Sequence, residues 1–328
     1  MKAYQRVVTS ATVIAALLTA ASWLGSYGWA PELLTHFRAQ FVIGALAIAI
    51  LAVAVRRPRI ALMAALIAAA NAWPMLPYLL PRAITAQASE RSVRVMFANV
   101  HIGNHDYDTL RALVQTEQPD ILGLAEVDES WLTALSALRS EFPYSVLRPQ
   151  ADAYGLALFS RLPLRELHSA MDVQEGVQVA IVAEAEMANG HVTVIVAHPM
   201  SPVSPASAAA RNTQLRSISG MIKADRNHGQ ILIGDLNTTP WSPHYALLET
   251  DANLVNAARG RGYQPTWPAW TPGWGGFRIP IDHCLLSEGI EVQQFRTGPE
   301  IGSDHLPLIV DVTMPARSLS ATVNPDAG

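Results

Sequence analysis

The sequence has little charge and almost no cysteine. Charged residues make up 15% of its 328 residues, hydrophobic residues make up 50%, and cysteine occurs once, as Cys284. A single cysteine cannot form an internal disulfide, which excludes a small disulfide-stapled domain. The hydrophobic content excludes a disordered chain, because disordered chains lack the apolar residues needed for a core. The length fits two domains, or one large α/β domain with an appendage.

Acidic residues are almost absent from the first quarter of the chain. Residues 1–82 hold seven basic residues and one acidic residue, Glu32, whereas the remainder holds 16 basic and 26 acidic residues. The first part therefore carries a net charge of +6 and the remainder a net charge of −10. The overall charge of −4 averages a basic, apolar head and an acidic body.

Three uncharged segments of the head have lengths typical of membrane spans. A helix needs about 20 apolar residues to cross about 30 Å of hydrocarbon. We therefore predict a membrane domain over residues 1–82, with transmembrane helices at about 7–29, 39–55 and 60–80. The alternatives are a cleaved signal peptide for the first segment and a buried helical hairpin for the other two. Two further spans after the first segment favour its retention as a membrane anchor.

Basic residues in short loops predict the orientation, because such loops face the cytoplasm. Lys2 and Arg6 precede the first span, and Arg56, Arg57 and Arg59 separate the second span from the third. We therefore predict an integral protein of a bacterial cytoplasmic membrane, with the body outside the cytoplasm. Three arginines just after the last span favour the opposite orientation: Arg82, Arg91 and Arg94.

The body alternates short β-rich runs with helical stretches and contains no internal repeat. A polar linker is predicted at 83–91 and a flexible tail at 315–328, which leaves 92–314 as one folded domain. Strands are predicted at 93–98, 121–125, 156–159, 179–183, 192–197, 231–233, 283–286 and 308–312. Helices are predicted at 107–116, 129–138 and 206–224. Many short strands with interspersed helices favour two packed sheets covered by helices.

Polar side chains end or follow most of these strands. Each one alone is uninformative, because an acid or amide at a strand end is commonly a turn former or a helix cap. The surrounding strings are more specific: Phe97-Ala98-Asn99-Val100, Gly123-Leu124-Ala125-Glu126-Val127, Ala197-His198-Pro199, Gly234-Asp235-Leu236-Asn237-Thr238-Thr239-Pro240, Ile281-Asp282-His283 and Gly302-Ser303-Asp304-His305-Leu306-Pro307.

In these six strings and their order, the chain over about residues 92–314 resembles the endonuclease/exonuclease/phosphatase superfamily. That superfamily includes exonuclease III, pancreatic deoxyribonuclease, neutral sphingomyelinases and inositol-polyphosphate 5-phosphatases. The resemblance implies a four-layer α-β-β-α sandwich of the deoxyribonuclease I type, here preceded by the three predicted transmembrane helices. It also implies a hydrolase that cleaves phosphoester bonds with a divalent metal ion, Mg²⁺ or alternatively Mn²⁺.

The chemistry explains why carboxylates and amides are needed. A phosphodiester is anionic and repels nucleophiles, so its hydrolysis needs a cation on the phosphoryl oxygens and a base for the attacking water. Mg²⁺ prefers oxygen ligands, and one or two carboxylates with an amide oxygen suffice to hold it. The resemblance implies that Glu126 and Asn99 form the principal metal site and that Asp304 is a further carboxylate on the metal side.

The resemblance also implies the catalytic residues. Asp235 holds or activates the attacking water, and Asn237 hydrogen-bonds a phosphate oxygen. Asp282 and His305 form an acid/base pair, in which the carboxylate fixes the tautomer of the ring and stabilises its charged form. His198 contacts the phosphate or protonates the leaving oxygen.

Several nearby polar residues have two interpretations. Arg211 and Gln214, on the predicted helix 206–224, either support the site or belong to a solvated helix face. His101, His105 and Asp106 follow Asn99 and either flank the metal or lie on a surface loop. We assign no role to His283, and we expect Cys284 to be buried in its apolar strand.

The substrate is less determined than the reaction. A net charge of −10 on the body argues against broad nonspecific binding of duplex DNA, whose affinity comes mainly from neutralised phosphates. The loop that holds Tyr263, Trp267, Trp270, Trp274 and Phe277 has three interpretations. Its aromatic rings stack on bases, lie in the headgroup layer of the membrane, or pack the loop itself. Nucleic acids, phospholipids and inositol phosphates all remain candidate substrates. We predict the lipid bilayer as a partner and no protein partner, and the alternative function is a catalytically inactive, membrane-tethered module that binds phosphate ligands.

Overall fold

The computed structural model describes residues 2–81, 92–172, 177–187, 190–224, 229–269 and 277–314. The predicted linker at 83–91 and the predicted tail at 315–328 lie outside these ranges. We call residues 2–81 the head and residues 92–314 the body.

Two β-sheets form the centre of the body. Their strands are, within the described ranges, β1 (Val93–Asn99), β2 (Ile121–Ala125), β3 (Tyr144–Arg148), β4 (Leu156–Ser160), β5 (Leu164–Asp172), β6 (Val177–Met187), β7 (Gly190–Ala197), β8 (Gly229–Asp235), β9 (Leu254–Asn256), β10 (Asp282–Ser287), β11 (Glu291–Thr297) and β12 (Leu308–Thr313). The first sheet has the order β11-β12-β1-β2-β4-β3, and the second has the order β5-β6-β7-β8-β10-β9. One pair in each sheet is parallel, β1 with β2 and β7 with β8, and the other neighbours are antiparallel.

All eight predicted strands occur, and the four that sequence patterns missed are the outermost strands of the two sheets. The missed strands are β3, β5, β9 and β11. Inner strands are covered on both faces and read as continuous apolar runs, as in β2 and β8. Edge strands such as β11 carry mostly polar side chains, so their sequences lack that signal.

Helices cover the outer faces of both sheets. They are α6 (Tyr107–Glu117), α7 (Glu129–Ala134), α8 (Pro205–Ala224) and α9 (Pro243–Ala252). Three begin at side chains that accept a hydrogen bond from a first-turn amide, namely Asp106, Asp128 and Ser242. The predicted helix at 129–138 is divided into α7 and a 3₁₀ turn, and α9 was not predicted.

Three hydrophobic layers hold the body together. One fills the space between the sheets and includes Phe97, Val196 and Cys284, which is buried as predicted. A second joins the first sheet to α6 and α7 around Trp131, and a third joins the second sheet to α8 and α9 around Tyr245. The body is therefore a mixed α/β sandwich of two sheets with helices on both outer faces.

The head is a bundle of helices that differs in detail from the prediction. It contains α1 (Lys2–Ser22), α2 (Trp29–Thr35), α3 (Arg38–Ala54), α4 (Pro58–Ala72) and α5 (Leu76–Leu79). Within the described residues, Lys2–Ser22 and Pro58–Leu79 are long and apolar enough to cross a membrane. By length, the 17-residue α3 counts as a third candidate when it is taken together with α2 across their bend of 68°. The first helix ends at Ser22, before the predicted end of its span at Trp29.

The head packs directly against the body. The backbone amides of Gly260 and Gly262 donate to the carbonyl oxygens of Pro77 and Tyr78, at 2.9 and 2.8 Å. The Tyr78 ring meets Trp241 edge to face, with centroids 5.8 Å apart. The end of the bundle that holds α2 and α5 therefore faces the sandwich.

Candidate active site

Four of the predicted site residues lie at the carboxyl ends of the two parallel strand pairs. Asn99 ends β1 and Glu126 follows its parallel neighbour β2. His198 follows β7 and Asp235 ends its parallel neighbour β8. Because parallel neighbours end at the same edge of a sheet, each pair of side chains converges.

A single amide joins the two sheets at this point. Asn99 Nδ2 donates to Glu126 Oε1 at 2.9 Å and to Asp235 Oδ2 at 3.1 Å. Gly234 allows the close approach of β7 and β8 beside it, because a Cβ atom there would lie 2.0 Å from the carbonyl oxygen of Ala197. The metal-side and water-side residues of the prediction therefore belong to one cluster.

Three residues of the site have a left-handed backbone. The φ angles of His101, Glu126 and Asn237 are 61°, 62° and 50°. Residues other than glycine rarely adopt this region, and such strain concentrates at functional sites. Glu126 is held there by its neighbours, since the Ile102 amide donates to Glu126 Oε2 at 2.9 Å.

The carboxylates of Glu126 and Asp304 both lie beside the His101 ring, on one side of the cluster. His101 Nδ1 lies 3.5 Å from Glu126 Oε2 and 3.7 Å from Asp304 Oδ1. Trp267 Nε1 donates to Asp304 Oδ2 at 3.0 Å, while Asp304 Oδ1 is buried and has no hydrogen-bond partner among the described residues. Burial raises the pKa of Glu126, but His198, the Ile102 amide and Asn99 outweigh it and bring that pKa below its ordinary value. Glu126 is therefore a carboxylate at neutral pH, as a ligand of a hard cation must be.

Asp282, His305 and Asp235 form a chain on the other side. His305 Nδ1 lies 2.8 Å from Asp282 Oδ2, and its Nε2 lies 3.6 Å from Asp235 Oδ2. Burial lowers the pKa of His305, but the carboxylates of Asp282 and Asp235 outweigh it and raise that pKa to about 10. Burial raises the pKa of Asp235 to about 6, and the charge of Asp282 acts in the same direction. At neutral pH the ring is charged and the Asp235 carboxylate next to it is ionised.

The same three residues also have the spacing of a metal site. Their ligand atoms all lie within 4.8 Å of one another: Asp235, Asp282 and His305. A metal ion held there would need a free lone pair on the His305 ring, so it would compete with a proton for that nitrogen. Glu126 and Asp304 offer carboxylate oxygens without that competition, so the described residues present two candidate positions for a cation.

His198 and Asn237 complete the cluster around Asp235. His198 Nε2 lies 3.5 Å from Asp235 Oδ2, while its Nδ1 is buried without a hydrogen-bond partner in the part of the chain that the structure describes. The Asn237 backbone amide donates to Asp235 Oδ1 at 2.9 Å, and its side-chain Nδ2 donates to the carbonyl oxygen of Pro199 at 3.0 Å. All eight predicted site residues thus lie in one connected group.

Arg211 and Gln214 are buried and support the site, which decides between their two interpretations. Arg211 Nη1 donates to the carbonyl oxygen of Asn237 at 2.7 Å. Gln214 Oε1 accepts from the Met200 amide at 2.8 Å. Both side chains of α8 therefore hold the loops that follow β7 and β8.

The remaining polar candidates separate clearly. His101 lies at the site, whereas Asp106 caps α6 and His105 is exposed beside Tyr107. His283 is buried with Nε2 at 2.8 Å from the Thr238 carbonyl oxygen, and burial lowers its pKa to about 4. His283 is therefore neutral and structural.

The aromatic loop is divided between packing and the site. Tyr263 stacks on Trp241 at 6.1 Å, while Trp267 donates to Asp304 as described above. Phe277 is exposed. Trp270 and Trp274 lie outside the described residues.

Sequence patterns missed the contribution of the head. Glu32 Oε1 and Oε2 each accept from Arg211 Nη2 at 2.6 Å, and Oε1 also accepts from Ser242 Oγ at 2.7 Å. His36 Nδ1 lies 3.0 Å from Thr239 Oγ1. The one available signal was Glu32 itself, a lone acid in a basic, apolar segment.

A cavity of about 480 Å³ opens over the cluster. Head and body both line it, with Trp29, Leu33, His36, Phe37, Glu126, Ala153, Tyr154, His198, Ser201, Pro202, Val203, Asp235, Asn237, Trp267, Ile279, Ile281, Asp304 and His305. Its volume is in the range of small-molecule sites.

Comparison with known proteins identifies the family. The model of the family described as Endonuclease/Exonuclease/phosphatase matches residues 96–305, well over half of the chain. The chain belongs to the endonuclease/exonuclease/phosphatase family. Members of this family typically hydrolyse phosphoesters with divalent metals, and the matched segment contains all eight predicted site residues. No curated protein matches the chain.

Solved structures share the fold of this family member. A humanized D. rerio TDP2 has a TM-score of 0.55 at 15% identity, over 68% of this chain and 99% of that chain. D. rerio TDP2 complexed with a single-strand DNA product has a TM-score of 0.55 at 14% identity, over 69% and 100%. The endonuclease/exonuclease/phosphatase from Beutenbergia cavernae DSM 12333 has a TM-score of 0.53 at 20% identity, over 68% and 72%. At such identities the likeness shows the fold alone.

Proposed function

We propose that this chain is a membrane-anchored, divalent-metal-dependent phosphoesterase that hydrolyses phosphodiesters with water. The observation that carries the proposal is the contact of Asn99 with both Glu126 and Asp235, at 2.9 and 3.1 Å. It brings the carboxylates suited to a cation within reach of the acid/base chain, over one cavity. A phosphorus centre held there meets both at once.

The donor set fits a Mg²⁺ or Mn²⁺ ion. Glu126, Asp304 and Asn99 would hold it through oxygen atoms, which are the ligands that such hard cations prefer. Asp304 Oδ1, which is buried and has no hydrogen-bond partner within the described ranges, is an acceptor that a cation would satisfy. When bound, the ion neutralises charge on the phosphoryl oxygens.

The other residues orient water and move protons. The Asp235 carboxylate takes a proton from the attacking water as its oxygen bonds to phosphorus. The bond from phosphorus to the leaving oxygen breaks, and His198 supplies the proton to that oxygen. The charged His305 ring, held by Asp282 at 2.8 Å, stabilises the negative charge that develops on the phosphate, and Asn237 fixes the water-side loop.

In this proposal α1, α3 and the segment Pro58–Leu79 are the three membrane spans that anchor the body outside the cytoplasm, and α2 lies outside the membrane against the body. Gln5 Nε2 donates to the Val55 carbonyl oxygen at 3.0 Å and Arg57 Nη2 donates to Gln5 Oε1 at 2.7 Å, so both basic clusters lie at the same end of the head. The opposite end, next to the body, carries the exposed aromatic rings of Trp23, Tyr27 and Trp73. Basic residues inside and an aromatic belt at the interface are the pattern of a membrane domain.

The proposal is tested by hydrolysis of methyl p-nitrophenyl phosphate, a small soluble diester, with the full-length chain in detergent. We expect release of p-nitrophenol with Mg²⁺ or Mn²⁺ and its loss with EDTA. Glu126→Ala and His305→Ala should each lower kcat/KM at least 100-fold, because each removes a group that acts in the reaction. Glu129→Ala, on the exposed start of α7, is the matched control and should stay within twofold.

Two results would contradict the proposal. Activity that survives EDTA would exclude the metal, and equal activity in the two variants and the control would exclude the site. Binding of phosphate esters without hydrolysis of diesters or monoesters would favour the catalytically inactive binding module.

A further inference from the structure

The head supplies one side of the active-site cavity. Trp29 and Leu33 of α2, with His36 and Phe37 just after it, line the same cavity as Asp235 and His305, and we call these four residues the α2 wall. Trp29, Leu33 and Phe37 follow one another at intervals of four residues, which places them along one side of the helix and its continuation. The α2 wall is therefore an apolar strip that faces the catalytic groups.

The α2 wall is fixed to the body by buried polar contacts. The same helix carries Glu32, which is 1% exposed and paired with the fully buried Arg211. Trp29 Nε1 donates to the Pro202 carbonyl oxygen at 2.7 Å, which ties the first residue of α2 to the loop after β7. The α2 wall therefore has a defined position relative to the site, because a buried ion pair requires a defined geometry.

The cavity lacks the charge that a nucleic acid requires. Among the described residues, no arginine or lysine lines it. Of the twelve arginines described between residues 92 and 314, nine form ion pairs with acidic side chains, so little basic surface remains for a phosphate backbone. The acids and histidines at the catalytic end suit one phosphoester, and the rest of the lining suits an apolar group.

We propose that the substrate is an amphiphilic phosphoester, such as a lipid, which binds with its phosphate at the catalytic cluster and its apolar chain along the α2 wall. This inference rests on the proposed phosphoesterase function. The position of the α2 wall supports a chain that arrives from the bilayer, because α2 connects α1 to α3 and follows directly after the exposed rings of Trp23 and Tyr27. Phe37 and Val203, both exposed, line the outer part of the path.

The experiment uses three p-nitrophenyl phosphate diesters that share one leaving group: the methyl ester, the octyl ester and the thymidine 5′-ester. Full-length protein in detergent is assayed for kcat/KM on each with Mg²⁺. Each buried methylene increases binding about fourfold, so partial burial of the octyl chain predicts a ratio of octyl to methyl kcat/KM above ten. We expect the thymidine ester to be hydrolysed more slowly than the octyl ester.

Variants of the α2 wall show whether the octyl ester is favoured by binding to this wall or by simple partition into detergent. Leu33→Ala and Phe37→Ala should each reduce the octyl-to-methyl ratio at least fivefold. Leu46→Ala, which removes an exposed side chain of α3 far from the cavity, is the matched control and should leave the ratio unchanged. Two wall variants are used because one of them alone could lower the yield of folded protein.

The remaining outcomes would overturn either the amphiphilic substrate or the phosphoesterase function. Equal kcat/KM for methyl and octyl esters, or a ratio unchanged in both wall variants, overturns the amphiphile and leaves the phosphoesterase standing. A thymidine ester that is hydrolysed faster than the octyl ester assigns the site to nucleic acid. Failure to hydrolyse even the methyl ester with Mg²⁺ or Mn²⁺ overturns the proposed function and this inference with it.

Discussion

Individual side chains act here through contacts that cross the whole chain. Asp282 and His305 come from two different segments and meet at 2.8 Å, and Asn99 reaches Asp235 in the other sheet. The identity of these residues could be predicted from six local strings, because each string keeps its residue at a strand end. The ion pair of Glu32 with Arg211 could not, because its partners lie 179 positions apart and neither belongs to a recognisable string.

Removal of the Asp282 charge should move the pH profile. His305 has a pKa raised to about 10 despite burial, because Asp282 and Asp235 stabilise its charged form. In the wild type, kcat/KM for methyl p-nitrophenyl phosphate should fall as the pH rises through about 10, since the charged ring is the active form. Asp282→Asn removes the stronger of the two carboxylates, so this fall should begin at lower pH, with a lower maximum.

The stability of the protein should follow the same group. A histidine whose folded pKa lies above its ordinary 6.5 stabilises the fold fully below pH 6.5, and this contribution is lost as the pH rises towards about 10.

For the pH profile of activity, a fall at the same alkaline pH in Asp282→Asn and wild type would show that the pair of Asp282 and His305 does not set the profile.

At the scale of elements, the parallel strand pairs and α2 position the site. The inner strands, and the polar residues that stand at their ends, were predictable from the sequence, because strands buried on both faces have continuous apolar sequences. The edge strands were not, and neither was α2, a seven-residue helix whose role depends on tertiary contact with α8 and α9. Short elements carry too little periodicity to be read from sequence.

Glu32→Gln should destabilise the protein through the Arg211 charge it leaves behind. Arg211 is fully buried, and removal of one partner of a buried pair costs about 3 kcal/mol or more. For a chain of this size that lowers Tm by roughly 6 °C or more, measured on full-length protein in detergent. Glu129→Gln on exposed α7 is the control with the same chemical change.

A double variant distinguishes the buried charge from other effects. Glu32→Gln with Arg211→Leu should recover part of the lost Tm, because no unpaired charge remains in the interior. A Glu32→Gln variant as stable as Glu129→Gln would show that the pair does not attach α2 to the body.

At the scale of the whole molecule, the head has a basic end far from the candidate active site and an aromatic end next to it. The basic clusters lie at one end of the head, the exposed aromatic rings at the other, and the cavity is next to the aromatic end. The charge contrast between head and body was visible in the sequence. The position of α2 on the same cavity as the predicted site residues was not, because it depends on how two separately patterned regions pack.

The orientation is testable with a membrane-impermeant maleimide. The native chain is a clean background, because its one cysteine is fully buried and burial raises the pKa of the Cys284 thiol to about 12. Glu129→Cys should be labelled from the outside of spheroplasts. Pro58→Cys, at the exposed turn between α3 and α4, should be labelled only after the membrane is disrupted. The reverse pattern would place the body in the cytoplasm.

The location of a bound Mn²⁺ ion in crystals of the full-length protein decides between the two candidate cation positions. Anomalous difference density should place the ion within about 2.5 Å of a carboxylate oxygen of Glu126, on the side that faces Asp304. Density held among Asp235, Asp282 and His305 instead would overturn the proposed mechanism, because those residues would then be metal ligands and not the groups that activate water and stabilise charge on the phosphate.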